Sequence, residues 1–156
     1  MKSTKVLLAI SSAACLFSLG VVFWAYFFPD RLPPFLVTST NFLGIFCIVP
    51  AYFREGFTRF GLRKSTPLFM NAFAVIVSLF AFFGMFLNLG TVRQDIFQDR
   101  DGIYYYKGPE PRMEASAEDV WRLERARSRA GAGMGLMFTT FPAAYFSGVL
   151  REEQVK

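Results

Sequence analysis

Residues 6–28 read VLLAISSAACLFSLGVVFWAYFF, 23 positions without one Asp, Glu, Lys or Arg. As a helix this stretch rises about 35 Å, enough to cross the ~30 Å hydrocarbon core of a bilayer. Three further stretches, 34–53, 67–90 and 131–150, are equally free of charge. Stretches two to four lack the alternation of apolar and polar faces that a soluble amphipathic helix shows, as expected where every side meets lipid or another apolar helix. The pattern predicts an all-α integral membrane protein: a single domain of four transmembrane helices, with a small hairpin-plus-helix element in the connection 91–130 between helices three and four.

Composition agrees. Only 19% of the 156 residues are charged and twenty are Phe, against about a quarter charged in an ordinary soluble domain. The net charge of +5 does not point to nucleic acid, because the basic residues flank the apolar stretches instead of lining one soluble face with aromatics between them. Lys2 and Lys5 precede the first stretch, Arg54, Arg59, Arg63 and Lys64 fill the second connection, and Arg151 and Lys156 follow the fourth stretch. The first connection carries only Arg31. The positive-inside rule therefore places both termini and the second connection in the cytoplasm of a multi-pass protein. The connection 91–130 holds eight basic residues balanced by eight acidic ones, and a segment that folds by itself can translocate despite its charge, so it is assigned to the outer side.

The N-terminal pattern of Lys2, Lys5, an apolar run and small residues at 11–14 resembles a signal peptide, but the apolar run continues to Phe28 and predicts a retained helix. Cys15 and Cys47 lack C-x-x-C spacing and read as packing residues. The chain has no histidine, which removes the usual haem b ligands, the commonest zinc and copper ligands and histidine-based acid–base chemistry. Charged residues inside the apolar stretches, the mark of proton relays and ion-coupled transport, are also missing. No phosphate-binding loop, nucleophile elbow or dinucleotide fingerprint occurs in its required context. These absences predict a protein without catalytic residues, cofactor or metal.

Small residues suggest how the helices meet. Gly131 and Gly135 form a G-x-x-x-G, and Ala14 with Ser18 and Ala74 with Ser78 repeat the small-x-x-x-small spacing and are candidate partners for it. Packing within the chain is the favoured use of these residues, ahead of a homodimer face. Pro142 is expected to bend the fourth helix, with Thr139 and Thr140 satisfying freed backbone groups. Thr38, Ser39, Thr40, Asn41, Asn71, Ser78 and Asn88 are expected to bond between helices. A sharper reading makes Asn41 and Asn88 the lining of an outward-facing notch for a lipid headgroup or a partner segment.

The connection 91–130 is the one segment long enough to recognise a partner. Asp101-Gly102 is a turn signal, Ile103 to Lys107 has strand composition, Gly108-Pro109-Glu110-Pro111 makes a second turn, and Arg112 to Ala115 returns as a partner strand. Ser116 three residues before Asp119 approximates a capping box, and Glu118 and Asp119 suit the first turn of a helix that runs on into the fourth span. Tyr104, Tyr105, Tyr106, Trp121, Arg122 and Arg125 are of the residue types found at the membrane interface and at binding hot spots, and they form the candidate interaction surface. The segment Gly102-Ile103-Tyr104-Tyr105-Tyr106 ahead of an acidic-start helix and a last span resembles uncharacterised small bacterial four-helix inner-membrane proteins over roughly 102–145. That resemblance implies a bacterial inner membrane and no substrate.

The residues support an accessory, interaction or immunity-type component that presents the 91–130 loop to a membrane-protein partner. One alternative is a small carrier or channel for a lipid or an apolar molecule, using Asn41, Asn88 and the glycine-rich start of the fourth helix. Another is an interfacial enzyme binding a divalent metal through Asp95, Asp99 and Asp101.

Overall fold

The computed structural model describes residues 2–55, 63–90, 96–99, 102–107 and 113–155. The chain is mostly helical: α1 (Lys2–Phe27), a 3-10 turn (Pro29–Arg31), α2 (Pro34–Glu55), α3 (Leu68–Gly90), the short strands β1 (Ile96–Gln98) and β2 (Tyr104–Tyr106), and α4 (Ala117–Val155). The prolines at 29 and 34 each open a helical segment, where the missing N–H costs nothing and the fixed φ is already helical.

Helices α1, α2 and α3 each pack chiefly on α4, and α1 also meets α2. Neighbours along α4 give the directions. Val37, Thr40 and the glycine at 44 lie against Gly131, Gly135 and Phe138 in rising order, so α2 and α4 run parallel. Thr4 bonds Glu153, Cys15 meets Thr140, and Arg129 reaches the carbonyl of Ala25, so α1 runs antiparallel to α4. The two chain termini share one end of the bundle with Arg63, which pairs with Glu152. The 3-10 turn and the sheet lie at the other end, beside the first turns of α4.

The packing inverts that of a soluble domain. Thr4, Ser18, Thr40 and Thr139 are each 0% exposed, whereas Leu16 is 69%, Phe46 72% and Phe53 79% exposed. The axis helix α4 buries mostly small or hydroxyl-bearing residues, among them Ala132, Gly133, Gly135, Thr139, Thr140, Ala143 and Ala144. Between helices bathed in hydrocarbon, close backbone approach and van der Waals contact supply the attraction that water expulsion supplies elsewhere. Two helices, Ser3–Phe27 and Pro34–Phe53, are long and apolar enough to cross a membrane, while the apolar helix Leu68–Gly84 is shorter among the described residues.

The glycine seam on α4 faces a different neighbour from the one expected. A Cβ at Gly131 would lie 2.6 Å from Val37 Cγ1, and one at Gly135 would lie 2.2 Å from Thr40 Oγ1. The partner is thus α2, not the Ala14/Ser18 or Ala74/Ser78 pairs. Ala14, Ser18 and Ala74 are nonetheless buried, and α1 and α3 approach other faces of the same axis. The hydroxyls also behave differently from the expectation of bonding between helices. Thr38, Ser39, Thr40 and Ser78 all donate to carbonyls three or four residues back in their own helix, a local bond that satisfies a buried hydroxyl without a neighbour. Thr139 and Thr140 do the same, to Gly135 and Leu136. They therefore bond a turn earlier than the Phe138 carbonyl, the one that Pro142 deprives of its N–H.

Because the Gly135 Cβ position is occupied by Thr40 while the nearest atom at Gly133 is Ala81 Cα at 3.5 Å, two alanine substitutions separate the effects. Gly135→Ala is expected to lower stability by about 1–3 kcal/mol through overpacking, and Gly133→Ala to leave it unchanged or raise it. Denaturant unfolding in detergent micelles measures both; equal stability of the two variants would place the close contact elsewhere.

Candidate functional site

The elements outside the helices gather at the α4 N-terminus. Ser116 caps the helix: the Asp119 N–H donates to Ser116 Oγ at 3.2 Å, and the Ser116 hydroxyl donates back to the Asp119 carboxylate. Glu118 and Asp119 stand in the first turn, where the helix dipole favours negative charge. As the sequence indicates, α4 then continues without a break through the glycine seam.

The sheet is larger than the predicted hairpin and uses a different main pairing. β1 and β2 are antiparallel with Phe97 opposite Tyr105 and Gln98 opposite Tyr104. Their connection turns at Gly102, whose φ of +84° suits glycine and whose N–H bonds the Asp99 carbonyl at 3.0 Å. The expected return strand from 112 to 115 reduces to a bridge between Tyr105 and Glu114, with Tyr106 N–H bonding Met113 O at 2.9 Å and Ala115 N–H bonding Tyr104 O at 2.8 Å. Tyr104–Tyr106 is therefore the middle strand. The second turn, at 108–111, lies outside the described residues, as do Asp95 and Asp101 of the acidic triplet.

Strand alternation splits the three tyrosines between two faces. Tyr106 stands beside Asp119, whose carboxylate raises the phenol's pKa; the Ser116 hydroxyl first, and then the Tyr106 phenol, hold the Asp119 carboxyl below its usual range. Tyr104 lines a cleft of about 500 Å³ between the sheet and α4, with Ile103, Ala115, Val120, Trp121 and Glu124. Tyr105 faces the other way, its ring 6.2 Å from that of Phe97. Met113, 69% exposed, projects from the neighbouring segment.

Trp121 and Arg125 do not extend that outer face. The Trp121 indole N–H donates to Asp30 Oδ1 at 2.7 Å, and Arg125 donates to Asp30 Oδ2 at 3.3 Å while its guanidinium stacks 3.4 Å above the indole ring. One turn on, Arg129 bonds the Ala25 carbonyl at 3.4 Å and sits 5.0 Å above the Tyr26 ring. These groups clamp the start of α4 to the end of α1. The Asp30 side chain is 58% exposed, so the ion pair itself contributes at most about 1 kcal/mol, and its chief effect is orientation. Arg122 is exposed and pairs with Glu118 along the helix. Sequence reasoning misses Asp30; its signal is a lone carboxylate in a five-residue connection where Arg31 draws the attention.

Asn41 serves packing: its amide donates to Val37 O at 3.0 Å and, across the seam, to Gly131 O at 3.3 Å. The side chain of Asn88, the second member of the proposed notch, lies outside the described residues. Comparison of the chain with protein-family models, curated proteins and solved structures finds no match.

The approach of Tyr106 to Asp119 has a defined pH window. A carboxylate with a depressed folded pKa contributes stability above its unfolded value and loses it as pH falls through the folded one; a phenol with a raised pKa contributes below its unfolded value and loses it as pH rises through the folded one. The sheet is therefore expected to stay docked from mild acid to mild alkali and to loosen beyond both ends. Hydrogen exchange at the Ala115 amide, corrected for intrinsic rate, reads this out. Tyr106→Phe should speed it several-fold at neutral pH, and no change would show that the sheet is held by other contacts.

Proposed function

We propose that the chain is a multi-pass membrane protein whose four helices all span the bilayer and whose sheet recognises a neighbouring membrane protein. The observation that carries the recognition reading is the outward pairing of Phe97 with Tyr105 on a sheet whose opposite face meets α4, with Tyr104 in the cleft between them and Tyr106 beside Asp119. An aromatic pair already held in place binds with a smaller ordering cost than the same residues on a free loop.

The four-span reading draws on the exposed Phe and Leu side chains of α1, α2 and α3 and on α4, whose stretch 131–150 is free of charge while Arg129 and Arg151 stand just beyond it. The start of α1, the end of α4 and Arg63 share one end of the bundle, as an even number of crossings requires. The basic residues at that end favour the cytoplasmic side, which leaves the sheet on the outer side of a bacterial inner membrane. The protein acts by binding, as an accessory or immunity-type component, and not by catalysis.

A photo-reactive side chain in place of Glu114, the exposed bridge partner of Tyr105, tests this in native membranes. It is expected to crosslink one membrane protein reproducibly, and Phe97→Ala combined with Tyr105→Ala should abolish the crosslink without reducing membrane insertion. Absence of a reproducible partner, or equal loss of crosslinking and insertion, would contradict the proposal.

A further inference from the structure

Beside the Asp30 clamp, between the 3-10 turn and α4, lies a second cleft of about 480 Å³ that shares Trp121 and Glu124 with the cleft under the sheet. Its lining includes Asp30, Glu124, Trp121, Arg125, Arg127 and Ser128. Two carboxylates and an indole thus face the same hollow as two guanidiniums and a hydroxyl. Arg125 is held in place by Asp30, which its Nη2 meets at 3.3 Å, and by the Trp121 ring on which it stacks, so it supplies the cleft with a fixed positive charge beside Arg127 and Ser128.

The position of the cleft matters as much as its chemistry. Ser128 and Arg127 lie within a turn of the charge-free part of α4, and Leu32 and Pro34 line the cleft toward the apolar start of α2, where Phe35 is 65% exposed. On the spanning reading above, this is the level of the lipid headgroups.

We infer that the cleft binds one zwitterionic aminophospholipid, of the phosphoethanolamine type. Its phosphodiester oxygens accept from Arg127 and the Ser128 hydroxyl beside the fixed charge of Arg125, and its ammonium lies between the carboxylates of Glu124 and Asp30 near the Trp121 ring. The acyl chains leave over Pro34 and Phe35 into the bilayer. A headgroup with only negative charge meets the same guanidiniums but is opposed by two carboxylates, so the cleft discriminates by charge pattern and not by net charge. The inference rests on the membrane reading and is independent of the protein partner proposed for the sheet.

Native mass spectrometry of the detergent-solubilised full chain tests it, with phosphatidylethanolamine, phosphatidylglycerol and soluble glycerophosphoethanolamine as probes. One phosphatidylethanolamine per chain should survive activation that strips phosphatidylglycerol, and the soluble headgroup should not displace it. Glu124→Gln and Arg127→Gln, both on the exposed face of α4, should each lower occupancy about tenfold with helical circular dichroism unchanged. Equal retention of phosphatidylglycerol, undiminished occupancy in both variants, or full displacement by the soluble headgroup would each overturn the lipid site. A chain that stays monodisperse in buffer without detergent would overturn the membrane reading itself, a result distinct from a detergent-requiring protein that holds no lipid.

Discussion

The close approach of α2 to α4 sets the distance on which the rest of the bundle depends. Where Gly131 and Gly135 face Val37 and Thr40, and where the glycine at 44 faces Phe138, a side chain on the glycine would overlap an atom already present. Missing Cβ atoms let the two parallel helices meet backbone to backbone, and the dispersion attraction at that short distance replaces a hydrophobic drive that a lipid surrounding does not provide. Once α2 is seated, α1 and α3 cover other faces of α4 through small residues such as Ala14, Ser18, Ala74 and Ala81, and the large aromatic side chains are left to the outside.

A central helix of this kind has an unusual composition for a reason. α4 meets protein along most of its middle, so it needs no lipid-facing Leu or Phe on every side, and its hydroxyls are satisfied by carbonyls of its own preceding turn. Its length carries the consequence outward. At 39 residues it rises about 58 Å, nearly twice a hydrocarbon core, so its first turns reach the end of the bundle that holds the 3-10 turn and the sheet. There Asp30, Trp121 and Arg125 fix it laterally, and the capped end at Ser116 carries the sheet. Rigidity established in the seam is thereby transmitted to the sheet and to the cleft beside Asp30.

Much of this is legible in the residues and some is not, for physical reasons. Helix positions follow from long charge-free runs, and the start of α4 from Ser116 and Asp119, because both signals are local. The choice of α2 as the seam's partner is not local: Gly131 and Gly135 announce a close contact, but Thr40 carries no mark that distinguishes it from Ser18 or Ser78. β1 escapes notice because three residues are too few to show a period, and Ile96-Phe97 sits among charged neighbours. The tyrosine run reads as one surface in the sequence, although strand alternation assigns Tyr104 and Tyr106 to α4 and Tyr105 to the outside. Trp121 and Arg125 stand out as a cluster, but their acceptor does not, since Asp30 is 91 residues away from Trp121 in the chain.

The central claim is that the apolar exterior faces lipid around a small-residue axis. Nitroxide labels at Leu16, Phe46 and Leu79, all exposed, test it in reconstituted vesicles by power-saturation electron paramagnetic resonance. The account predicts high accessibility to oxygen, which concentrates in hydrocarbon, and low accessibility to a water-soluble nickel chelate at all three positions. High nickel accessibility at any of them would contradict it.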